Sequence, residues 1–294
     1  MEDHLIRAVA PGIRAFAAVT TNLVEEARRR HDCYPVATAA LGRTMTAALL
    51  LAANLKNDES ITIRVAGDGP LGQIIADSSA NGTVRGYVHH PHVDLPLNNG
   101  KLNVGQAVGK GEIYVTRFTG LKQPFTGSAA LVSGEIAEDV TNYLFVSEQT
   151  PSSVALGVLV DPSLAVLAAG GFMIQAMPDA EDGLLAKLEA NLANLPPVTT
   201  LLTQGLDAAG ILKRVFEGME LKFYEPMPVS FACRCSRQRV VDMLVSLGAE
   251  EVANMLAEGK AEVRCNFCNE SYEFSAEELN EILIRLESHE TKDE

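Results

Sequence analysis

The chain has 294 residues, of which 47% are hydrophobic and 21% charged, an ordinary composition for a globular protein of one large or two to three small domains. Its formal net charge is −14, from 38 acidic and 24 basic residues. An acidic surface of this kind repels phosphate backbones, which argues against a nucleic-acid-binding function.

The sequence predicts no membrane segment. The first residues, MEDHLIRAV, lack the basic and apolar regions of a signal peptide. The most apolar stretch begins at Tyr34, but its uncharged run covers only the 12 residues from Thr44 to Leu55, whereas a membrane span needs about 20. We therefore expect a buried, alanine-rich helix in a cytoplasmic protein, where clustered cysteines indicate metal or redox chemistry.

Residues 1–178 alternate strand and helix patterns, which predicts an α+β domain with a mixed sheet. Asn22 is expected to open a helix over residues 22–31, and Ser133 to cap one over 137–149. The turn at Asn81-Gly82 indicates a hairpin. Strand patterns cover residues 4–10, 12–21, 61–67, 73–79, 83–90, 112–119, 152–160 and 164–177.

The composition changes after Met177-Pro178, and residues 179–226 are typical of three short amphipathic helices. One face carries four leucines, Leu184, Leu185, Leu188 and Leu192. Because such a segment has no core of its own, it must pack on another surface. The sequence thus predicts an N-terminal α+β core domain over residues 1–178, a helical linker over 179–226 and a small C-terminal unit over 227–294 that contains two cysteine pairs.

Two other motifs are weak. GDGPLG, from Gly67, matches a dinucleotide-binding pattern, but the next residues predict a strand and a turn instead of the helix that would hold a pyrophosphate. His89, His90 and His92 surround Pro91, which favours a surface loop over a metal site. Cys33 has no partner thiol nearby in sequence and is expected to be a partly buried structural cysteine.

The strongest motif is Cys233-x-Cys235, followed after 29 residues by Cys265-x-x-Cys268. Four thiolates in two close pairs suit a tetrahedral zinc ion, at Zn–S distances of about 2.3 Å. The second pair is predicted to lie in a turn between strands at 261–264 and 271–274, and Ser275 with Glu278 to form a capping box for the next helix. Four cysteine ligands leave no open position for a catalytic water, so zinc hydrolase chemistry is not expected.

The residues alone leave two uses of the metal open: a permanent structural zinc, and a zinc that is released when the thiols are oxidised. A unit of about 65 residues has a marginal core, which favours a structural zinc. However, C-x-C is an unusual half-site, and four nearby arginines could lower the thiol pKa and keep the sulfurs reactive. Either pair is also close enough in sequence for a local disulfide. These arginines are Arg234, Arg237, Arg239 and Arg264.

The stretches YEPMPVSFACRCSRQRVVDMLVSLGAEEV and GKAEVRCNFCNESYEF resemble the heat shock protein 33 family, the redox-regulated holdase chaperones of bacteria. GDGPLG and VRGYVHHP resemble the N-terminal domain of that family, so the resemblance spans the whole chain. It implies a chaperone that uses no ATP and binds unfolded client proteins, and not an enzyme. It also implies one zinc ion per reduced, inactive chain.

The resemblance further implies that oxidation forms the disulfides Cys233–Cys235 and Cys265–Cys268, with loss of zinc and unfolding of the C-terminal domain and linker. It implies a homodimer in the activated state, with residues 1–178 as the core and dimerisation domain and residues 227–294 as the redox-switch zinc-binding domain, and it assigns no role to Cys33. The alternatives are a constitutive structural-zinc protein, a zinc-ribbon nucleic-acid binder, whose basic stripe is missing, and a thiol-disulfide oxidoreductase. An oxidoreductase would need its C-x-x-C at a helix N-terminus.

Overall fold

The computed structural model describes residues 1–120 and 123–290, with side chains described as far as residue 286. It contains two compact units, Met1–Ala232 (unit 1) and Cys233–Glu294 (unit 2). The α+β class predicted from the sequence is confirmed. Residues 179–226 lie within unit 1, and the division at residues 178 and 226 into three domains stays a prediction.

Unit 1 contains two six-stranded sheets where the sequence predicted one mixed sheet. The strands are β1 (His4–Ala10), β2 (Ile13–Val19), β3 (Ser60–Gly67), β4 (Gln73–Ser79), β5 (Thr83–Val88), β6 (Gly111–Phe118), β7 (Phe125–Ala130), β8 (Ser152–Val160), β9 (Val166–Ala176), β10 (Lys222–Phe223), β11 (Met227–Pro228) and β12 (Ser230–Phe231). The first sheet has the order β10-β1-β2-β9-β8, with β11 also paired to β1. The second has the order β12-β5-β4-β3-β6-β7, in which only the β12–β5 pair is parallel.

The helices of unit 1 are α1 (Thr21–His31), α2 (Pro35–Ala52), α3 (Val104–Val108), α4 (Ala137–Val146), α5 (Asp182–Ala193), α6 (Val198–Thr203) and α7 (Ala208–Val215). In the described residues, α2 is the one helix long and apolar enough to cross a membrane by length and composition, but 89% of that window is buried. It packs against strands of both sheets and is buried on all sides. The hydroxyls of Thr44 and Thr46 donate to the carbonyls of Ala40 and Gly42, each at 2.8 Å, so α2 leaves neither hydroxyl unsatisfied.

The first sheet is buried on both faces because its strands are apolar at successive positions. On β2, Phe16 and Ala18 face the core that contains α2, whereas Ala15 and Ala17 face a second apolar cluster. Helices α5, α6 and α7 cover that second face with Leu188, Leu201, Leu202, Ile211, Leu212 and Val215. The predicted leucine face of residues 179–226 therefore packs on a sheet.

Two predicted helix starts are wrong in the same way. Helix α1 begins at Thr21, and its first amides, from Asn22 and Leu23, donate to the carboxylate of Asp3 at 3.1 and 2.7 Å. Ser133 does not cap α4, whose preceding loop is held by the buried carboxylate of Asp139. That carboxylate accepts hydrogen bonds from the amides of Val132, Ser133, Gly134 and Ile136.

Unit 2 contains α8 (Arg237–Leu247), α9 (Ala249–Ala257), the antiparallel pair β13 (Lys260–Arg264) and β14 (Ser271–Ser275), and α10 (Ala276–Glu290). The predicted capping box is confirmed, because the Ser275 amide donates to Glu278 at 3.0 Å and the Glu278 amide to the Ser275 hydroxyl at 3.4 Å. The core is small. Its buried apolar residues are Val240, Leu244, Val252, Phe274, Leu279 and Ile282.

Candidate metal centre

The second cysteine pair lies in the turn between β13 and β14, as the sequence predicted. The Cys265 amide donates to the carbonyl of Glu270 at 2.9 Å, and the Asn269 amide donates to the carbonyl of Cys265 at 2.8 Å. Asn269 has a left-handed backbone, with φ of 59°, a conformation that asparagine tolerates better than most residues. This turn holds Cys265 and Cys268 on one side of the hairpin.

The first pair precedes α8, where the Ser236 hydroxyl accepts a hydrogen bond from the Arg239 amide at 3.3 Å and caps the helix. One residue separates Cys233 from Cys235, and the thiols of both reach those of the cysteines in the hairpin turn. Neither pair could form the site alone, and the fold of unit 2 brings them together.

The four sulfurs form one cluster. The Sγ atom of Cys233 lies 3.7 Å from that of Cys265, and the Sγ atom of Cys235 lies 3.3 Å from that of Cys268. All four lie within 4.8 Å of one another. Sulfurs around a tetrahedral zinc at about 2.3 Å are separated by about 3.8 Å. The donor set and its spacing therefore fit a tetrathiolate metal ion.

Burial raises the pKa of the thiols of Cys265 and Cys268, since neutral sulfur is favoured away from water. Two of the four arginines expected to lower the thiol pKa are paired with carboxylates instead. Arg237 pairs with Glu278 at 2.6 Å and Arg264 with Glu262 at 3.0 Å. Their charges are thus balanced by carboxylates, and a bound divalent cation would supply the charge that keeps the sulfurs as thiolates.

Tyr272 is a member of the site that the sequence analysis missed. Its hydroxyl donates to the Sγ atom of Cys235 at 3.1 Å, and this hydrogen bond is the main reason that its own pKa is raised. Tyr272 lies on β14 opposite Val263 of β13. The available signal was its position, four residues after Cys268 on the returning strand.

The weaker motifs lie in a turn and a loop, and Cys33 lies in the core. GDGPLG forms the turn between β3 and β4, where the Gly69 amide donates to the carbonyl of Val108 at 2.9 Å. His89, His90 and His92 lie at the end of β5 and in the following loop, and none joins a metal-binding cluster among the described residues. Cys33 is 1% exposed, and its burial raises the pKa of its thiol to about 12.

The model of the Hsp33 protein family matches residues 3–275 of this chain. The chain belongs to the Hsp33 family. Among curated Hsp33 relatives, the 33 kDa chaperonin of Desulforamulus reducens is 55% identical over 98% of this chain and 99% of its own length. That of Symbiobacterium thermophilum is 53% identical over 96% of this chain and 97% of its own length.

The fold matches a solved Hsp33 structure, the crystal structure of the 33 kDa chaperonin from Thermotoga maritima. The TM-score is 0.89 at 38% sequence identity, over 96% of this chain and 98% of that one. The family and the names of its members support a chaperone function. The resemblance seen in the cysteine motif therefore extends along the whole chain and into three dimensions.

Proposed function

We propose that this chain is a redox-regulated holdase, a chaperone that binds unfolding proteins without ATP and keeps them from aggregating. In the proposed off-state, Cys233, Cys235, Cys265 and Cys268 hold one zinc ion. The cluster of four sulfurs within 4.8 Å of one another is the observation that carries this proposal. Zinc, when bound, would supply a structural crosslink between the two cysteine pairs.

Oxidation is proposed to remove this crosslink. A thiolate attacks hydrogen peroxide to give a sulfenic acid, and its neighbour displaces water to form the disulfide. Each disulfide consumes one peroxide, which takes up two electrons and becomes two waters. Two peroxides therefore oxidise all four sulfurs, which then no longer hold the ion.

The disulfides expected from the family resemblance are Cys233–Cys235 and Cys265–Cys268. The other combination is also within reach, because the Sγ atoms of Cys233 and Cys265 are 3.7 Å apart and those of Cys235 and Cys268 are 3.3 Å apart. Both exceed a disulfide bond of about 2.05 Å, so some movement accompanies either pairing. Peptide mapping of the oxidised chain distinguishes them, because only the alternative pairing links the segment around Cys233 to the segment around Cys265.

Loss of the metal is proposed to expose client-binding surface. The small core of unit 2 gains most from the metal, since zinc binding contributes about 10–16 kcal/mol in small zinc domains. Within unit 1, α5–α7 cover an apolar sheet face that would bind clients if uncovered. We further propose that the chain acts in the cytoplasm, that its activated form is a homodimer, and that it is not an enzyme and binds neither nucleic acid nor membrane.

A thiol-disulfide oxidoreductase is the less favoured alternative. In that class C-x-x-C stands at a helix N-terminus, whereas Cys265 and Cys268 stand in a turn between two strands. A constitutive structural-zinc protein would use the same four ligands, so an experiment is needed to distinguish it from a redox-regulated chaperone.

The test combines zinc and thiol titration with an aggregation assay on a heat-unfolded client, before and after peroxide. We expect about one zinc ion per reduced chain, released as four thiols disappear, and suppression of aggregation only after release. Cys33→Ala is the matched control, since it removes a thiol outside the cluster and should leave the response unchanged. Equal suppression by the reduced zinc form would refute the switch, and turnover of a disulfide substrate would favour the oxidoreductase.

A further inference from the structure

Unit 1 contains a polar cavity of about 220 Å³ near one edge of the core between its two sheets, which we call the inter-sheet pocket. Arg14 on β2 and Gln175 on β9 are register partners in the first sheet. They face the same side as Phe16 and Met173, which belong to the core containing α2. Arg117 on β6 lines the pocket from the second sheet, and Glu148 lines it from the segment after α4.

The charges in the inter-sheet pocket do not balance. Arg117 donates to one Glu148 oxygen through Nε at 3.2 Å and through Nη2 at 2.6 Å. The hydroxyl of Tyr143 donates to the same oxygen at 3.0 Å. Glu148 therefore neutralises Arg117. Arg14 has no carboxylate within ion-pair distance among the described residues, and its Nε atom is buried with no hydrogen-bond partner.

Gln175 adds a second polar group that has no protein partner. The residue is 4% exposed, and its side-chain amide, which makes no hydrogen bond to the residues that the structure describes, remains open to the pocket. Native proteins almost always satisfy buried polar atoms, and the Nε atom of Arg14 is an exception. The pocket thus presents a guanidinium and an amide, both without protein partners, from adjacent positions on β2 and β9.

These features select a ligand class. The unbalanced charge is positive, and a guanidinium pairs best with an oxyanion, to which it donates two parallel hydrogen bonds. The amide of Gln175 can donate a further hydrogen bond. We propose that the inter-sheet pocket binds a small tetrahedral oxyanion of the phosphate class, held by Arg14 and Gln175. This site is independent of the cysteine cluster and of the proposed redox switch.

The test is calorimetric titration of the reduced, zinc-loaded full chain with inorganic phosphate at constant ionic strength, supported by thermal unfolding with and without phosphate. We expect saturable binding and a higher unfolding temperature with phosphate. Arg14→Gln removes the unpaired charge, and Gln175→Met removes the amide at nearly the same volume. Each should weaken binding at least about tenfold, in line with the value of hydrogen bonds to charged groups.

Arg29→Gln is the matched control, because it removes the same charge from an exposed ion pair with Glu26 outside the pocket. Circular dichroism checks that every variant is folded. If Arg14→Gln does not fold, Gln175→Met still tests the pocket. Absence of saturable binding would overturn the proposal. So would binding that survives both pocket variants, or binding that Arg29→Gln weakens as much as they do, since the effect would then follow net charge alone.

Discussion

The Tyr272 hydroxyl donates a hydrogen bond to the Sγ atom of Cys235, a residue of the cysteine cluster. Hydrogen bonds to ligand atoms orient them and draw electron density from them, and their loss commonly costs 10–100-fold in metal affinity. We therefore expect Tyr272 to tune Cys235 as a metal ligand without binding the metal itself. Its aromatic ring also helps to cover the apolar core of unit 2.

We expect Tyr272→Phe to keep the fold of unit 2 but to weaken zinc binding by about tenfold. Cys235 should also react faster with peroxide, because a thiolate without this hydrogen bond is more nucleophilic. Competition with a chromogenic chelator measures the affinity, and the rate of thiol loss measures the reactivity. Tyr224→Phe removes a hydroxyl outside the cluster and serves as control. Unchanged affinity and rate in Tyr272→Phe would contradict this role.

Cys33 gives a second prediction at the level of a single residue. Its thiol is almost completely buried, and burial raises its pKa to about 12, so at pH 8 it is both inaccessible and protonated. After zinc removal from the reduced native chain, a small thiol reagent should label four cysteines rapidly. The fifth should react only in denaturant.

The Cys33→Ala variant checks this assignment, since it should give four reactive thiols under both conditions. Rapid labelling of five thiols in the native wild-type chain would show that Cys33 is accessible in solution.

The secondary structure elements show which parts of the fold were accessible from sequence. Hydrophobic periodicity and turn residues predicted most helices and eight strands of unit 1, which are β1–β6, β8 and β9. The capping box of α10 was also predicted from the sequence. The start of α1 was not, because it depends on a carboxylate that is distant in sequence. Asp3 satisfies amides about twenty residues away, and such pairing exists only once β1 and α1 have packed.

The very short strands β10, β11 and β12 were missed for a related reason. Two residues carry no periodicity, and these segments become strands only because β1 and β5 offer them edges. At the site, the spacing of the cysteines was sufficient to predict the cluster. The contribution of Tyr272 was not predictable, because it depends on the register of β13 and β14.

The docking of α7 leads to a prediction about activity. Ile211, Leu212 and Val215 are fully buried against the first sheet. We expect Leu212→Ala to weaken this packing by about 2–5 kcal/mol, the usual cost of such a truncation in a core. If α5–α7 cover client-binding surface, the variant should suppress client aggregation in its reduced, zinc-bound form, in which the wild-type chain is expected to be inactive.

Arg214→Ala is the control on the same helix. Arg214 makes an exposed ion pair with Glu217 at 2.9 Å, and such pairs contribute little to stability. The ability of Arg214→Ala to suppress aggregation should stay at the level of the reduced wild-type chain. Binding of a hydrophobic dye reports whether apolar surface has been exposed. Dye binding in Leu212→Ala without suppression of aggregation would show that this face is not where clients bind.

At the scale of the whole molecule, the two units differ in how much apolar surface they bury. Unit 1 contains two large clusters, one on each face of the first sheet. Among its described residues, unit 2 has a core of six buried apolar residues beneath its helices and its hairpin. A core of that size is marginal without a crosslink, since domains this small usually need metals or disulfides. The four sulfurs are placed where such a crosslink joins the chain before α8 to the hairpin.

Removal of zinc by a chelator under reducing conditions should therefore unfold unit 2 and leave the strands of unit 1 intact. Hydrogen exchange measured by mass spectrometry should show lost protection over α8, α9 and the β13–β14 pair, with unchanged protection in β2 and β9. The reason is that the metal contributes more free energy than the small core can replace. Adding zinc back should restore protection, because no covalent bond has changed. If protection in α8 survives chelation, the core of unit 2 is stable alone, and metal release by itself cannot act as the switch.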